Sequence, residues 1–290
     1  MAGSRGYYLN LQFNSTGAHL APAEGPWKIA RNYDLVAGAS PLPLALWVVN
    51  AGNMREVLLE LSMQAAIAWA PAGWDTDRHL LAWCRTYFGP DQAAKAAEII
   101  RAYYSGFWTQ REPDLPDFSR QFLFQDMRVA RACDDLLSRW NGPLVPLDDR
   151  NMGYFRIDPA VEHTGDQLIA LDRGLRRSVE EFSTVIRAAE ALAPQLDARG
   201  RRLWHDHVLV SAELVAAGER ALLALLRGYR QRGDAAGRIE SLREADAALA
   251  EMRASLDRAD AAPFEGWSRP EHLWGIDAKR KRISGLLTRH

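Results

Sequence analysis

The chain has 290 residues, and its 36 Lys and Arg residues nearly balance its 37 Asp and Glu residues, for a formal net charge of −1. This balance excludes the basic surface that nucleic-acid-binding proteins usually carry, so no nucleic-acid partner is expected. Hydrophobic residues make up 48% of the chain and charged residues 25%, a mixture that excludes global disorder. No apolar stretch reaches the roughly 20 residues of a membrane span, so no membrane partner is expected.

Cysteine usage and the amino terminus add little. Cys84 and Cys133 are too few for a disulfide framework or a cysteine metal site, and their apolar surroundings predict buried, reduced thiols. Residues 1–10 lack the basic and apolar regions of a signal peptide. The default expectation is a cytoplasmic location, with a periplasmic or secreted one if the chain is a fragment of a longer protein.

The first fifty residues predict one βαβ unit. Residues 6–14 are rich in Tyr, Leu and Phe, which is typical of a strand. Residues 26–39 combine a first-turn proline with apolar residues at helical spacing. Residues 45–49 form a wholly apolar run, the pattern of a parallel strand buried on both faces. Because two such strands need neighbours, they either lean against the helices that follow in the chain or pair with an upstream barrel segment or a partner chain, and we expect the second arrangement.

From Arg55 onward the pattern is helical. Apolar spacing predicts helices over residues 55–70, 77–88, 90–108, 119–140, 166–196, 199–232 and 237–257. In one of them the polar residues Asp206, Glu213, Arg220 and Arg227 recur every seven positions, which predicts a single narrow exposed stripe. The predicted fold class is therefore mainly α. A βαβ unit over residues 1–54 leads into a large helical bundle over residues 55–290, which holds an ordered loop at 141–165.

Several short motifs occur in an order that resembles a known family. They are Tyr7-Tyr8, Trp27, Trp47-Val48-Val49-Asn50-Ala51-Gly52, Ala68-Trp69, Trp83 with Tyr87-Phe88-Gly89, and Arg101-Ala102-Tyr103-Tyr104. In this order they resemble glycoside hydrolase family 115, the xylan α-1,2-glucuronidases, from the end of the TIM-like catalytic barrel into the helical domain. The resemblance implies the C-terminal part of a glycoside hydrolase that acts on uronic-acid-substituted polysaccharide such as glucuronoxylan. Its ligand would be a polysaccharide or oligosaccharide.

The sequence departs from the family's pattern at several positions. Leu9 replaces a His, Asn53 an Asp, Arg55 a Lys, Glu56 a Pro and Leu58 a Glu, with Glu60 two residues further on. The resemblance implies α-glucuronidase-like hydrolysis in a full-length parent. Because the acidic groups of upstream barrel strands are missing from these residues, we expect the isolated chain to be inactive.

The residues after the second predicted strand form a candidate site. Barrel proteins bind their ligands at the carboxyl ends of parallel strands. Asn50 and Asn53 offer amide groups for sugar hydroxyls, and Arg55 offers a bidentate fork for a uronate carboxylate. Glu56 is the candidate catalytic acid or base, provided that a second carboxylate lies about 6.5–9.5 Å away. Tyr8 is a candidate for substrate binding.

Each of these assignments has a structural alternative. Asn53 would cap a helix that begins at Arg55, Glu56 would stabilise its first turn, and Arg55 would form a surface ion pair. The aromatic residues Tyr7, Tyr8 and Trp47 form either a sugar-stacking wall or part of the core. At the level of function, the alternative is a non-catalytic helical scaffold for oligomerisation or partner binding, and a homodimer is left open.

Two further motifs suggest no chemistry. The His residues of Trp204-His205-Asp206-His207 stand at i and i+2 and point about 200° apart on a helix, which does not suit a shared metal ion. No phosphate-binding glycine loop or nucleophile elbow occurs, so neither a metal site nor a cofactor is expected. The basic run 279–282 predicts a solvated helix face.

Overall fold

The computed structural model describes residues 3–11, 21–22, 25–42, 44–51, 54–106, 128–142, 164–231, 233–260, 265–266 and 274–288. Two strands and a series of helices account for most of these residues. They are β1 (Arg5–Asn10), α1 (Pro26–Gly38), β2 (Leu44–Asn50), α2 (Leu58–Trp69), α3 (Thr76–Phe88), α4 (Ala93–Gly106), α5 (Arg128–Ser138), α6 (Thr164–Leu192), α7 (Ala198–Trp204), α8 (Val210–Arg230), α9 (Ala235–Ala259) and α10 (Ile276–Leu287). A βαβ unit followed by helices confirms the predicted fold class. The predicted loop at 141–165 lies mostly outside the described residues.

The strands pair in parallel, and α1 connects them. Leu9 lies opposite Val49 and Asn10 opposite Asn50, so both strands end at the same edge of the sheet. The Arg5 guanidinium donates to the carbonyl oxygens of Val36 and Ser40, both at 2.8 Å, near the carboxyl end of α1. Cations suit that end of a helix because its last carbonyl groups lack helical partners.

The two faces of the sheet differ in burial. The covered face carries Tyr7, Leu9, Trp47 and Val49. These side chains belong to one hydrophobic cluster with Ile29 and Tyr33 of α1 and Ile67 of α2. The opposite face carries Tyr8, Leu46 and Val48, which are 57%, 60% and 41% exposed. Two-sided burial was predicted for β2, and the described residues cover one side only. The open side is a hydrophobic surface of a kind that sheets normally bury.

The chain divides into two compact units. Residues 1–104 and 187–211 form the first unit, and residues 105–186 and 212–290 form the second. In the first unit, α3 packs against α7, where the Phe88 and Trp204 rings meet edge to face at 5.1 Å. The boundary proposed at residue 54 stays a prediction.

In the second unit, ion pairs link α8 to α9. They are Glu213 with Arg258, Arg220 with Glu251 and Arg227 with Glu244. Each partner is seven residues from the next on both helices, as antiparallel helices with a heptad spacing require. The stripe predicted over Glu213, Arg220 and Arg227 therefore forms a ladder of ion pairs between two helices. The prediction of exposure is wrong at Asp206, whose side chain is only 8% exposed.

Two smaller expectations have different outcomes. Cys84 and Cys133 are free and buried, and burial raises the pKa of each thiol to about 12. The basic face predicted at 279–282 is wrong at Lys279, which is 3% exposed. Its Nζ atom donates to the Asp134 carboxylate at 2.9 Å and to the Trp274 carbonyl, because α10 turns this position inward.

No helix within the described ranges has the length and apolar character that crossing a bilayer requires.

Candidate functional site

Two asparagines meet at the carboxyl ends of the strands. Asn50 Nδ2 donates to Asn10 Oδ1 at 2.9 Å, and the Leu11 amide donates to the Asn50 carbonyl at 3.0 Å. Because side chains alternate along a strand, Asn10 and Asn50 project to the same face as Tyr8 and Val48. The amide pair therefore lies at the ligand-binding edge of a parallel sheet, on its open face.

The turn after β2 carries the predicted charged residues. Residues 54–57 form a turn, and α2 begins at Leu58 rather than at Arg55. Val57 is the N-cap residue of α2 and makes no side-chain capping bond. Glu56 is half-buried in this turn, with its Oε2 atom inaccessible to solvent. The other predicted binding residue here, Asn53, lies outside the described residues.

Arg55 forms a buried ion pair, not the surface pair considered as its structural alternative. Its Nη2 atom lies 3.3 Å from Asp206 Oδ2, and both side chains are 8% exposed. Asp206 also accepts hydrogen bonds from Arg202 Nε at 2.8 Å and from His205 Nδ1 at 3.0 Å. Burial opposes ionisation of Asp206, but these hydrogen bonds and the positive charges of Arg55 and Arg202 hold its pKa below the ordinary value.

A second carboxyl group near the turn, that of Glu60, is buried and accepts a hydrogen bond from a tyrosine. Glu60 is 1% exposed and accepts a hydrogen bond from the Tyr104 hydroxyl. Burial raises the pKa of Tyr104 well above its ordinary value, and the Glu60 charge raises it further. The neighbouring Tyr103 hydroxyl donates to the Pro22 carbonyl at 2.7 Å. Of the two glutamates that flank Leu58, Glu56 is thus the one nearer the strand ends in sequence and the less buried.

The strand aromatics divide between the two alternatives. Tyr7 and Trp47 belong to the core face, where their rings meet edge to face at 5.2 Å and Tyr33 stacks on Trp47 at 4.9 Å. Tyr8 points to the open face and is 57% exposed. An exposed aromatic ring next to an amide pair is suited to stacking against a sugar. Tyr8 alone of the three is therefore available for such a contact.

The amino-terminal residues match a known family. A family model described as glycosyl hydrolase family 115 matches residues 1–115, a range that contains both strands, the Arg55 turn and helices α1 to α4. This part of the chain is therefore similar to glycosyl hydrolase family 115. The match confirms the resemblance that the motifs between Tyr7 and Tyr104 indicated.

A solved structure of a family 115 member has the same fold. It is described as a 4-O-methyl-alpha-glucuronidase, BtGH115A, with specificity for decorated arabinogalactans. The two share 14% sequence identity with a TM-score of 0.58, over 93% of this chain and 31% of that one. The chain thus spans about a third of the length of that family 115 enzyme. A comparison with curated proteins gave no match.

Sequence reasoning missed two residues of this site. Asn10 could have been found by pairing the two predicted strands in parallel, since Asn10 and Asn50 are the last residues of β1 and β2. Asp206 was considered as part of a polar helix stripe and of a metal motif but not as a residue of this site, and it lies outside the matched residues 1–115. In the described part of the chain, no three His, Cys, Asp or Glu side chains are grouped as a metal ion would require.

Proposed function

We propose that this chain supplies one side of a binding site for uronic-acid-substituted polysaccharide in a glycoside hydrolase. One observation carries the proposal: the Asn10–Asn50 pair lies at the carboxyl end of an open, aromatic-bearing sheet face. Parallel sheets bind ligands at that edge. Amide groups donate and accept hydrogen bonds, which suits sugar hydroxyls.

Arg55 would bind the acidic group of the sugar. The guanidinium is planar and always charged, so it recognises a carboxylate through two parallel hydrogen bonds. The proposal is supported by its position in the turn at residues 54–57, which follows β2 in the sequence. Family members have a Lys at this position, according to the resemblance, so a positive charge is kept. Asn53, in the same turn, would add a further amide.

Glu56 would take the catalytic role. In an inverting glycosidase, one carboxylic acid protonates the leaving oxygen while a second carboxylate activates water on the opposite side of the sugar ring. Glu56 is the candidate for one of these groups. The second would come from further barrel strands, supplied by an upstream segment or a partner chain, that cover the open face at Tyr8, Leu46 and Val48. Glucuronoxylan is the proposed type of substrate.

Sugar-binding measurements test whether Arg55 binds the uronate carboxylate. We expect Arg55→Ala to weaken the binding of D-glucuronate by about tenfold or more, because a charge-assisted pair is lost. D-glucose binding should change little, since glucose carries no carboxylate. Arg176→Ala is the matched control, because Arg176 forms an exposed i,i+4 pair with Asp172 on α6. Titration calorimetry measures the affinity of each sugar for the unchanged protein and for both variants. Equal loss of glucuronate and glucose binding in Arg55→Ala would remove Arg55 from the site.

A second prediction concerns the origin of the second carboxylate. The 290-residue chain should be helical by circular dichroism and should release no uronic acid from glucuronoxylan, because the second carboxylate comes from elsewhere. Addition of a polypeptide that carries the further barrel strands should produce this hydrolysis. Substantial hydrolysis by the chain alone would contradict this division of the site.

A helical scaffold for partner binding or oligomerisation is the second candidate. The open hydrophobic face of the sheet favours it, because such faces are normally covered. If a second copy covers this face, light scattering should show a dimer, and Leu46→Lys should convert it to a monomer. Leu35→Lys is the control, because Leu35 is 47% exposed on α1. A monomer at all concentrations would exclude the homodimer.

A further inference from the structure

A buried carboxylate links the turn after β2 to the helical segment that follows α7. Asp206 accepts hydrogen bonds from Arg202 and His205, which belong to its own helical stretch. Its ion-pair partner Arg55 comes from the turn after β2, far away in the sequence. Asp206 therefore holds a residue of the proposed binding site from a part of the chain that the family 115 match does not include.

Burial restricts the geometry of the ion pair between Arg55 and Asp206. Both Arg55 and Asp206 are 8% exposed, so each charge is largely removed from water. A buried charge that loses its partner is very unfavourable, which restricts the pair to geometries in which the two charges meet. The low pKa of Asp206 keeps its carboxylate charged at neutral pH. One edge of the Arg55 guanidinium is thus held in a fixed direction.

The backbone around Asp206 is unusual. Residues His205–Leu209 form a π-helical turn, in which the Val210 amide donates to the His205 carbonyl. Such turns are rare, and they are frequently found at functional sites. Here the turn directs Asp206 to Arg55, while His207 is buried with its ring 6.5 Å from that of Trp83. A regular helix would place Asp206 in the same stripe as Glu213.

We propose that Asp206 is a positioning residue that holds the Arg55 guanidinium in one orientation for binding a uronate carboxylate. The inference rests on the proposed function, in which Arg55 binds the acidic group of the sugar. A guanidinium that is already fixed loses less conformational entropy when its ligand binds. Asp206 itself does not contact the sugar in this arrangement. It acts through Arg55.

The first test needs no ligand. Asp206→Asn keeps the size of the side chain and removes its charge, so Arg55 should become mobile and more reactive. We expect its modification by phenylglyoxal, followed by peptide mass spectrometry, to accelerate by about tenfold, the effect of losing roughly 1.4 kcal/mol of protection. Asp246→Asn is the matched control, because it removes the partner of Arg280 on α10. It should leave the Arg55 rate unchanged.

The second test separates positioning from general support of the fold. In Asp206→Asn, D-glucuronate affinity should fall by about tenfold while D-glucose affinity is unchanged, because the lost fixation concerns a charge-assisted bond. Asp206→Glu restores the charge and should recover most of the glucuronate affinity. A purely structural role would weaken both sugars together, and that result would overturn the inference.

The two proposals fail in different ways. An Arg55 modification rate that is unchanged in Asp206→Asn overturns the positioning role. A raised rate, with glucuronate binding unaffected in both Asp206→Asn and Arg55→Ala, supports the positioning role and refutes the proposed anionic site. If Asp206→Asn does not fold, the guanidinium NMR signals of Arg55 in the unchanged chain decide. Separate, slowly exchanging signals support the inference, and one averaged signal overturns it.

Discussion

The carboxyl group of Glu219 should make the stability of the protein depend on pH. Glu219 lies on α8 and is 1% exposed, and its Oε2 atom has no hydrogen-bond partner among the described residues. Burial raises its pKa to about 8, the Glu181 charge acts in the same direction, and a hydrogen bond with Ser178 opposes both. Glu219 is therefore protonated in the folded protein at neutral pH.

The magnitude follows from the two pKa values. In the unfolded chain the group titrates near its ordinary value of 4.5, so between pH 4.5 and about 8 the folded state holds a proton that the unfolded state has lost. In that range the free energy of unfolding falls by about 1.4 kcal/mol for each pH unit. The contribution is fully present below pH 4.5. Several kcal/mol are lost by the time the pH exceeds 8.

The substitution Glu219→Gln tests this directly. It keeps the size of the side chain and removes its titration, so the fall in stability above pH 4.5 should largely disappear. Urea denaturation at pH 5, 7 and 9 measures the free energy of unfolding. Glu98→Gln is the matched control, because the Glu98 side chain is 68% exposed and its curve should stay within about 0.5 kcal/mol of the unchanged protein. Parallel curves for Glu219→Gln and the unchanged protein would refute a neutral Glu219.

Two other predictions follow from buried positions. Gly228→Ala should lower the free energy of unfolding by roughly 1–3 kcal/mol, because its Cβ would lie 2.5 Å from the Trp140 ring. Gly285→Ala is the control: it has open space around it on α10 and should raise the free energy of unfolding by up to about 1 kcal/mol. Equal effects of the two substitutions in urea denaturation would contradict the close packing at Gly228. Burial lowers the pKa of His207 to about 4, so the free energy of unfolding should fall as the pH drops from 6.5 to 4. If a His207→Gln variant loses as much stability over this pH range, His207 is not the cause.

Local patterns were sufficient for most elements of the fold. The proline at position 26 is the first residue of α1, as its preference for a first turn predicted. This signal acts within one helical turn, so it needs no knowledge of the tertiary structure. The apolar run at 45–49 likewise predicted β2. Its composition could not tell which face would be covered, because that depends on which segments pack against the sheet.

The candidate site was only partly predictable, for the same reason. Arg55 follows β2 in sequence, so its position in the turn after that strand could be predicted from the chain order. Whether its charge meets water or a carboxylate depends on Asp206, which the fold brings in from a distant segment. The pattern of one segment contains no information on that pairing. The surface ion pair that was the structural alternative for Arg55 is therefore a buried one.

Asp206 shows how a periodicity argument fails at one point and holds beyond it. Counting in sevens from Glu213 places Asp206 on the polar stripe of a regular helix. From Glu213 onward the count is correct, since each polar residue there pairs with α9. The π-helical turn at His205–Leu209 adds a residue between the two, which rotates every earlier side chain relative to the stripe. Local rules are most often broken where a side chain serves a function. The break falls at the residue that holds Arg55, which is where a positioning role would require it.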